Sequence, residues 1–236
     1  MDTILNSFNI KPIDQKLITS IVDRMEILKK TFGEKIVLLD FEELYNNLDV
    51  NQSKLIKKML KINPAKFGVN LPRTVIPHKE LNLTAICGQE YRQGKNTIKI
   101  PTQFLPENVF SAINKLNKKM KIDLGKKLLV ESGYRSQAYQ LLSFIYQLKI
   151  NKFNLKKTLK IVALPGFSEH NSPNCPAIDF ITFKRSPDHR NGLDFSKTPE
   201  YKWLIKNARN FGFHLSYKIG NPYKIKFEPW HWHFEG

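Results

Sequence analysis

A single carboxylate interrupts an apolar, strand-like run in the C-terminal half of the chain, Ala177-Ile178-Asp179-Phe180-Ile181. The alternation from Ala177 to Phe183 predicts a β-strand. If Asp179 is buried there, it must be paired, hydrogen-bonded or bound to a metal, because an isolated charge is costly to bury. His170 lies nine positions earlier, on the opposite limb of a loop, so the two side chains are able to converge on one metal ion. Taken alone, such a pair is more often an ordinary strand-edge acid and a surface histidine than a metal site.

Three polar side chains stand among aromatic residues close to the C-terminus: Glu228, His231 and His233. Strand alternation puts the two histidines on one face and Glu228 on the other, unless a bulge intervenes. Together with His170 and Asp179 they supply nitrogen ligands, an oxygen ligand and a spare carboxylate. Catalytic zinc sites use three protein ligands and an open fourth position, beside a carboxylate that takes a proton from water. The spacing does not say which of the two histidines would bind the metal.

The net charge of the chain suggests classes of partner but does not distinguish between them. Among 236 residues, 38 Lys and Arg stand against 21 Asp and Glu, which gives a net charge of +17. Such a charge attracts anions at long range. The lysines are scattered and no nucleic-acid-binding module is recognisable, so we do not expect a nucleic-acid partner. An anionic cell-wall or membrane surface fits the same charge.

The N-terminus lacks the basic start and apolar run of a secretory signal, and no apolar run reaches the roughly 18 residues of a membrane helix. We therefore expect no transmembrane segment and no standard export signal in the chain as given. The two cysteines, Cys87 and Cys175, are expected to be free thiols, since two cysteines make no disulfide framework. Cys175 lies between the two candidate ligands, but a turn bounded by two prolines accounts for a small residue there.

The periodicity predicts a mixed α+β fold. Residues 13–32 and 40–60 have helical spacing and suggest a helical N-terminal extension, residues 1–80, before a domain of residues 81–236. Further helices are predicted over 106–120, 137–148 and 199–211, and strands over 83–86, 97–100, 128–130 and 177–183. Residues 213–217 and 223–234 are predicted to be two strands joined by a hairpin-like turn at Gly220-Asn221-Pro222. This pattern indicates a mainly antiparallel sheet.

Three motifs give the chain a family resemblance. They are Ser132-Gly133-Tyr134-Arg135-Ser136, then Ser168-Glu169-His170 with Ala177-Ile178-Asp179, then Glu228-Pro229-Trp230-His231-Trp232. In this order they resemble the signatures of VanY-type D-alanyl-D-alanine carboxypeptidases, which belong to the lysostaphin, D-Ala-D-Ala peptidase and hedgehog fold group. The resemblance covers roughly residues 100 to 236. It implies a hedgehog-like catalytic domain, with a central antiparallel sheet flanked by helices, after a mainly helical N-terminal region.

The resemblance also implies a role for each site residue. His170, Asp179 and His231 would bind Zn²⁺. Glu228 would be the general base that assists the attack of zinc-bound water and then protonates the leaving amine. Arg135 would polarise the scissile carbonyl and stabilise the oxyanion. Ser168 would hold the substrate or orient the loop.

Two departures from the family pattern leave an alternative open. Eight residues separate His170 from Asp179 where the family usually has six, and the insertion lies beside the expected metal. His233 stands where the family commonly has arginine, and the lysostaphin branch uses the second histidine of a His-x-His pair as a ligand. The alternative ligand set is therefore His170, Asp179 and His233, with His231 in the catalytic role. His189 and His214 have no motif support and are expected to be structural or surface residues.

The resemblance implies a zinc metallopeptidase that removes the C-terminal D-alanine from peptidoglycan stem peptides. An L,D-carboxypeptidase or an endopeptidase on the same peptides would share the whole metal site. A non-catalytic, zinc-containing cell-wall binding module is the alternative of another class, and the presence of both Glu228 and Arg135 argues against it. The substrate class suggests the cell envelope, whereas the N-terminus shows no export signal, so localisation stays open.

Overall fold

The structure is a computed structural model that describes residues 10–72, 82–173, 176–185 and 193–236. The predicted boundary near residue 80 lies outside the described residues, as do Cys175 and His189. Eight α-helices lie in the described part: α1 Pro12–Phe32, α2 Phe41–Asn46, α3 Val50–Met59, α4 Glu107–Leu124, α5 Gln137–Ile150, α6 Leu155–Leu159, α7 Leu193–Lys197 and α8 Pro199–Asn207. The strands there are β1 Leu83–Ile86, β2 Glu90–Gln93, β3 Asn96–Lys99, β4 Gln103–Pro106, β5 Leu128–Ser132, β6 Ala177–Thr182, β7 Lys184–Arg185, β8 Phe213–Leu215 and β9 His231–Phe234.

The ends of the helices follow from local sequence. Asp40 accepts a hydrogen bond from the backbone N–H of Glu43, whose side chain accepts one from the backbone N–H of Asp40, so α2 begins with a capping box. At the start of α5 the hydroxyl of Ser136 accepts a hydrogen bond from the backbone N–H of Tyr139, a single N-cap. Gly125 ends α4 with φ 68°, a left-handed conformation that glycine adopts without strain. The predicted helices over 13–32, 106–120, 137–148 and 199–211 are confirmed, the last as α8 followed by a 3₁₀ turn.

Two compact units make up the chain, and both are discontinuous. The first comprises Met1–Thr74, Arg135–Ser168 and Pro222–Ile225, and the second comprises Val75–Tyr134, Glu169–Asn221 and Lys226–Gly236. These units divide the chain differently from the predicted 1–80 and 81–236, because α5 and α6 group with the N-terminal helices. The division into a helical extension and a peptidase domain stays a prediction.

The first unit is helical. Helix α1 packs against both α3 and α5. Their inward faces are fully covered, as Ile21 and Leu28 on α1 and Phe144 and Ile145 on α5 show with 0% exposure. No helix among the residues described is both long and apolar enough to cross a membrane.

The second unit contains the central sheet, with strand order β5-β6-β9-β8 and every neighbouring pair antiparallel. Helices α4 and α8 pack with each other beside it, and one apolar core joins them to the sheet. A two-stranded sheet, β1-β4, and a three-stranded sheet, β3-β2-β7, complete the unit. The predicted α+β class with a central antiparallel sheet is therefore confirmed.

The predicted hairpin at the C-terminus is wrong. Strands β8 and β9 do pair antiparallel, but β9 begins at His231 and β8 ends at Leu215, so a long irregular connection replaces a tight turn. Lys224 has φ 59°, which interrupts an extended chain. Farther on, the backbone N–H of His231 bonds to the carbonyl of Glu228 in a local turn. Glu228 thus lies before the strand, where strand alternation does not apply.

Candidate metal centre

The central sheet places one acid directly opposite one histidine. Asp179 on β6 is the register partner of His231 on β9. The Asp179 Oδ1 atom lies 2.9 Å from His231 Nδ1. The carboxylate that interrupts the apolar strand is thus mostly covered, with 14% of its side chain exposed, and it is paired, as the cost of taking a charge out of water requires.

The second histidine reaches the same carboxylate from a short 3₁₀ turn, Glu169–Asn171. His170 Nε2 is 3.3 Å from Asp179 Oδ2, and the rings of His170 and His231 meet edge to face at 4.9 Å. The ligand atoms of His170, Asp179 and His231 all lie within 4.8 Å of one another. The structure therefore brings together three residues that the resemblance nominates as metal ligands.

A backbone carbonyl orients His170. Its Nδ1–H donates to the carbonyl oxygen of Gly133 at 2.9 Å, which leaves Nε2 directed at Asp179. Gly133 lies against β4, where the N–H of Tyr134 donates to the carbonyl of Phe104 at 2.8 Å. A Cβ atom at position 133 would lie 2.7 Å from that same carbonyl oxygen, so the close approach needs glycine.

Glu228 lies beside the cluster. Its Oε2 atom is 3.8 Å from His231 Nδ1, the nitrogen that faces Asp179. The predicted placement of Glu228 on the opposite face from His231 is wrong, because Glu228 precedes β9 and a local turn brings it round. Glu228 is thus a carboxylate next to the three converging residues and not one of them.

Glu169 is a further residue of the site, and the motifs imply no role for it. Its Oε2 atom is 2.9 Å from His231 Nε2, on the far side of the ring from Asp179. Ser216 donates its hydroxyl to the same oxygen at 2.6 Å, and the Tyr217 ring stacks on His231 at 4.7 Å. The acid directly before His170 in the second motif was the signal available for Glu169, whereas Ser216 and Tyr217 belong to no motif.

His233 faces the same group of residues from farther away. Its Nδ1 atom is 3.8 Å from Glu169 Oε2, and it is not in the three-residue group whose ligand atoms converge. Burial lowers the pKa of His233, against the opposing effect of Glu169. The choice between His231 and His233 as the third ligand stays a prediction.

The acids and His231 shift one another's ionisation. Burial acts against charge, but the hydrogen bonds and charges of the two histidines hold the pKa of Asp179 well below its usual range. Burial raises the pKa of Glu169, but the hydrogen bonds from His231 and Ser216 and the charge of His231 outweigh it and lower the pKa to about 2. Burial would lower the pKa of His231, yet Asp179 and Glu169 together raise it to about 10. Both carboxylates thus favour the protonated form of the His231 ring, in which each nitrogen has a hydrogen to donate to one acid.

The donor set fits zinc. Two imidazoles and one carboxylate form a common catalytic zinc set, and bonds of about 2.0–2.1 Å in a tetrahedron put ligand atoms about 3.4 Å apart. Asp179 presents a different oxygen to each histidine, with Oδ2 3.3 Å from His170 Nε2 and Oδ1 2.9 Å from His231 Nδ1. With one ligand atom from each residue, the three atoms lie within 4.8 Å of one another, a wider group than that tetrahedron. Each imidazole also has an acceptor on its other nitrogen, as metal-binding histidines require.

Arg135 and Ser168 belong to the first unit. Arg135 directly precedes Ser136, the N-cap of α5, and Ser168 is buried with 4% exposure next to Glu169 in the chain. Their predicted roles towards substrate stay predictions. Cys87 is a free, exposed thiol, as expected.

Comparison with known proteins agrees with the resemblance. Residues 102–236 match the model of the VanY family, D-alanyl-D-alanine carboxypeptidase. Putative carboxypeptidase YodJ of Bacillus subtilis (strain 168) is 32% identical over 114 residues, which are 48% of this chain and 40% of YodJ. The bifunctional D-Ala-D-Ala dipeptidase and carboxypeptidase VanXYC of Enterococcus gallinarum is 32% identical over 115 residues, 48% of this chain and 58% of VanXYC. The chain thus matches about half the length of these curated relatives.

Among solved structures, the LD-carboxypeptidase LdcB superimposes with a TM-score of 0.51 and 26% identity. The match covers 74% of this chain and 78% of LdcB.

Proposed function

Since the chain belongs to the VanY family of D-alanyl-D-alanine carboxypeptidases, we propose that it is a zinc-dependent D,D-carboxypeptidase acting on peptidoglycan stem peptides. It would hydrolyse the bond before the C-terminal D-alanine. The observation that carries the proposal is the convergence of His170, Asp179 and His231, with Glu228 beside His231 Nδ1. A positive charge of +17 would favour association with an anionic cell wall.

In this proposal the metal would be held by His170 Nε2, an oxygen of Asp179 and His231 Nδ1. Zinc, when bound there, supplies a Lewis acid that acidifies water and polarises a carbonyl. Zinc with the single charge of Asp179 and two neutral imidazoles would keep a net charge of about +1 on the metal and its ligands, which would favour a developing oxyanion.

Glu228 moves the proton. Its carboxylate accepts a proton from the attacking water as the new C–O bond forms, and it then donates that proton to the nitrogen as the C–N bond breaks. One water is consumed, and the products are free D-alanine and the shortened peptide. Arg135 is assigned to the carbonyl oxygen, where a fixed positive charge stabilises the transition state, and Ser168 to the substrate or its loop.

A second candidate, L,D-carboxypeptidase activity, is favoured by the similarity to LdcB, which extends over 74% of this chain. An L,D-carboxypeptidase would use the same metal ligands and the same base as a D,D-carboxypeptidase. It would remove the terminal residue of the tetrapeptide and not that of the pentapeptide. An endopeptidase cut inside the stem peptide would also share these groups.

Mass spectrometry of digested muropeptides separates the candidates. The zinc-loaded protein is incubated with pentapeptide and with tetrapeptide muropeptides, with and without a chelator. Loss of one alanine from the pentapeptide alone, abolished by chelator and restored by zinc, is the result expected for a D,D-carboxypeptidase. Loss from the tetrapeptide alone would support the L,D alternative, and an internal cut would support an endopeptidase.

The Glu228→Gln variant tests the base in the same assay. The amide keeps the shape but takes no proton, so kcat should fall about 10²–10⁴-fold while one zinc per chain is retained. Full activity with zinc bound would show that the assigned base is wrong. If the zinc-loaded wild type cleaves neither muropeptide, the result would support the non-catalytic binding module.

A further inference from the structure

We propose that Glu169 is a positioning residue that holds His231 in the tautomer whose Nδ1 is available to the metal. This inference rests on the ligand set of the proposed function and assigns a further residue to that site. Glu169 itself would not bind the metal or touch substrate. It would act through the far nitrogen of the His231 ring.

The two nitrogens of His231 face different acids. Nδ1 lies 2.9 Å from Asp179 Oδ1, inside the group of ligand atoms, and Nε2 lies 2.9 Å from Glu169 Oε2, outside it. A metal-bound imidazole is neutral and carries its one hydrogen on the other nitrogen. With the metal on Nδ1, that hydrogen must be on Nε2, where Glu169 is in place to accept it.

Glu169 is itself held in one position. The Ser216 hydroxyl donates to the same Oε2 atom at 2.6 Å, and the side chain of Glu169 is only 17% exposed. A carboxylate at that depth keeps its charge only with such donors. Tyr217, stacked on the His231 ring at 4.7 Å, limits tilting of the same imidazole.

The two histidines are oriented by different kinds of acceptor. His170 Nδ1 uses the backbone carbonyl of Gly133, whereas His231 Nε2 uses a charged carboxylate. A carboxylate acceptor makes the ligand imidazole more basic as well as fixing its orientation. Because a side chain supplies it, this contribution can be removed without altering any of the three ligands.

The test measures zinc affinity and the state of the His231 ring, neither of which depends on substrate. Zinc dissociation constants are determined by competition with a chromophoric chelator for wild type, Glu169→Ala and Glu169→Gln. Loss of an outer carboxylate partner typically costs about 10–100-fold in metal affinity, and we expect Glu169→Ala to fall in that range. Glu169→Gln, whose amide oxygen still accepts the Nε2 hydrogen, should lose less.

Nitrogen-15 NMR of the histidine rings supplies the second readout. In the zinc-loaded wild type, His231 should carry its hydrogen on Nε2 and show the chemical shift of an N–H bonded to a carboxylate. In Glu169→Ala the Nε2–H signal should move away from that shift and exchange faster with water. Glu235→Ala is the matched control, because Glu235 also pairs with a histidine of the central sheet, His214, at 3.1 Å, but lies outside the metal group. It should change neither readout.

The outcomes separate the two proposals. If wild type binds no zinc, the proposed function and the role of Glu169 both fail. If wild type binds zinc and Glu169→Ala matches it in affinity and ring spectrum, only the role of Glu169 is overturned. A change of zinc coordination number in X-ray absorption spectra of Glu169→Ala would make Glu169 a ligand and overturn its positioning role. If Glu169→Ala does not fold, Glu169→Gln decides by the same two readouts.

Discussion

At the scale of single residues, the centre is an alternation of acids and histidines around one buried ring. His231 lies between Asp179 and Glu169, with 2.9 Å hydrogen-bond distances on both sides. His170 contacts Asp179 as well, with its Nε2 atom 3.3 Å from Oδ2. The same charged groups therefore determine both the ionisation of the metal-free site and its affinity for metal.

Separate alanine variants of the two C-terminal histidines test the ligand assignment. His231→Ala should lose stoichiometric zinc, because it removes a nitrogen from the converging group. His233→Ala should keep zinc, since its Nδ1 is 3.8 Å from Glu169 and not among the converging ligand atoms. Zinc per chain is measured by atomic emission after gel filtration. The opposite pattern would exchange the assignment in favour of His233.

The thermal stability of the chelator-treated protein should depend on pH through the same group. The pKa of His231 is raised from 6.5 to about 10, so its contribution is complete below pH 6.5 and is lost towards pH 10. The pKa of Glu169 is lowered from 4.5 to about 2, so its contribution is complete above pH 4.5 and is lost in stronger acid. The Tm should therefore be highest between pH 4.5 and 6.5.

Calorimetry of the metal-free protein checks this pH dependence. A loss of 1 kcal/mol lowers the Tm of a chain of this size by about 2–4 °C, and we expect a fall of roughly 5 °C or more from pH 6.5 to 9. The His231→Ala variant should show a flatter alkaline limb. A wild-type Tm that is constant from pH 6 to 9 would contradict the prediction.

At the scale of elements, the site depends on two close contacts between strands and loops. One is the β6–β9 register that sets Asp179 opposite His231. The other is the approach of the loop at Gly133 to β4, which delivers the acceptor for His170. A small change of backbone position in either contact would therefore be transmitted to a ligand.

Gly133→Ala tests the second contact. The added methyl group would meet the Phe104 carbonyl oxygen at 2.7 Å and Leu105 Cδ2 at 2.8 Å, so the loop must shift. Such overpacking costs about 1–3 kcal/mol. The displaced carbonyl should also weaken zinc binding, roughly tenfold or more.

Gly125→Ala is the control for that variant. Gly125 has φ 68° and open space around the Cβ position, so alanine there strains the end of α4 without a clash. It should lower the Tm, by a cost of about 1 kcal/mol, and leave zinc affinity unchanged. Equal zinc affinity in Gly133→Ala and wild type would show that the Gly133 contact does not orient His170.

At the scale of the whole molecule, the order of elements along the chain differs from their grouping in space. Helices α5 and α6 follow β5 in the sequence, yet they form one compact unit with the N-terminal helices. The Ser136 N–H donates to the carbonyl of Val37 at 2.8 Å, and Lys149 pairs with Asp23 at 3.3 Å. The N-terminal helices are thus part of the packing of α5.

Deletion of residues 1–74 should therefore destabilise what remains. Helix α1 covers part of α5, where Phe144, Ile145 and Leu148 have 0% exposure. Each such side chain contributes about 1.5–3 kcal/mol when buried, against a typical total stability of about 5–15 kcal/mol. We expect the shortened protein to aggregate, or to remain in solution with a Tm lower by about 10 °C or more. In solution it should also bind a hydrophobic dye. A soluble fragment with the wild-type Tm would show that the N-terminal helices are a separable extension.

Local signals were enough to predict much of the fold. Helical periodicity predicts α1 and α4, and alternation predicts β6, because both patterns depend on residues a few positions apart. Gly125 ends α4 and Gly212 ends the 3₁₀ turn after α8, both in the left-handed conformation, which is a local requirement. The three motifs predict the family, and the roles of the residues in them remain predictions.

Other features depend on contacts between residues far apart in the chain, and the sequence pattern did not contain them. The hydrogen bond of Glu169 to His231 joins residues 62 positions apart, and that of Gly133 to His170 joins residues 37 apart. The grouping of α5 with α1 likewise reflects packing of separate segments. Glu228 was misplaced because alternation holds only inside a strand, and the chain becomes a strand at His231. The spacing of residues thus determined which side chains are available for the chemistry, whereas packing of distant segments determined which of them meet.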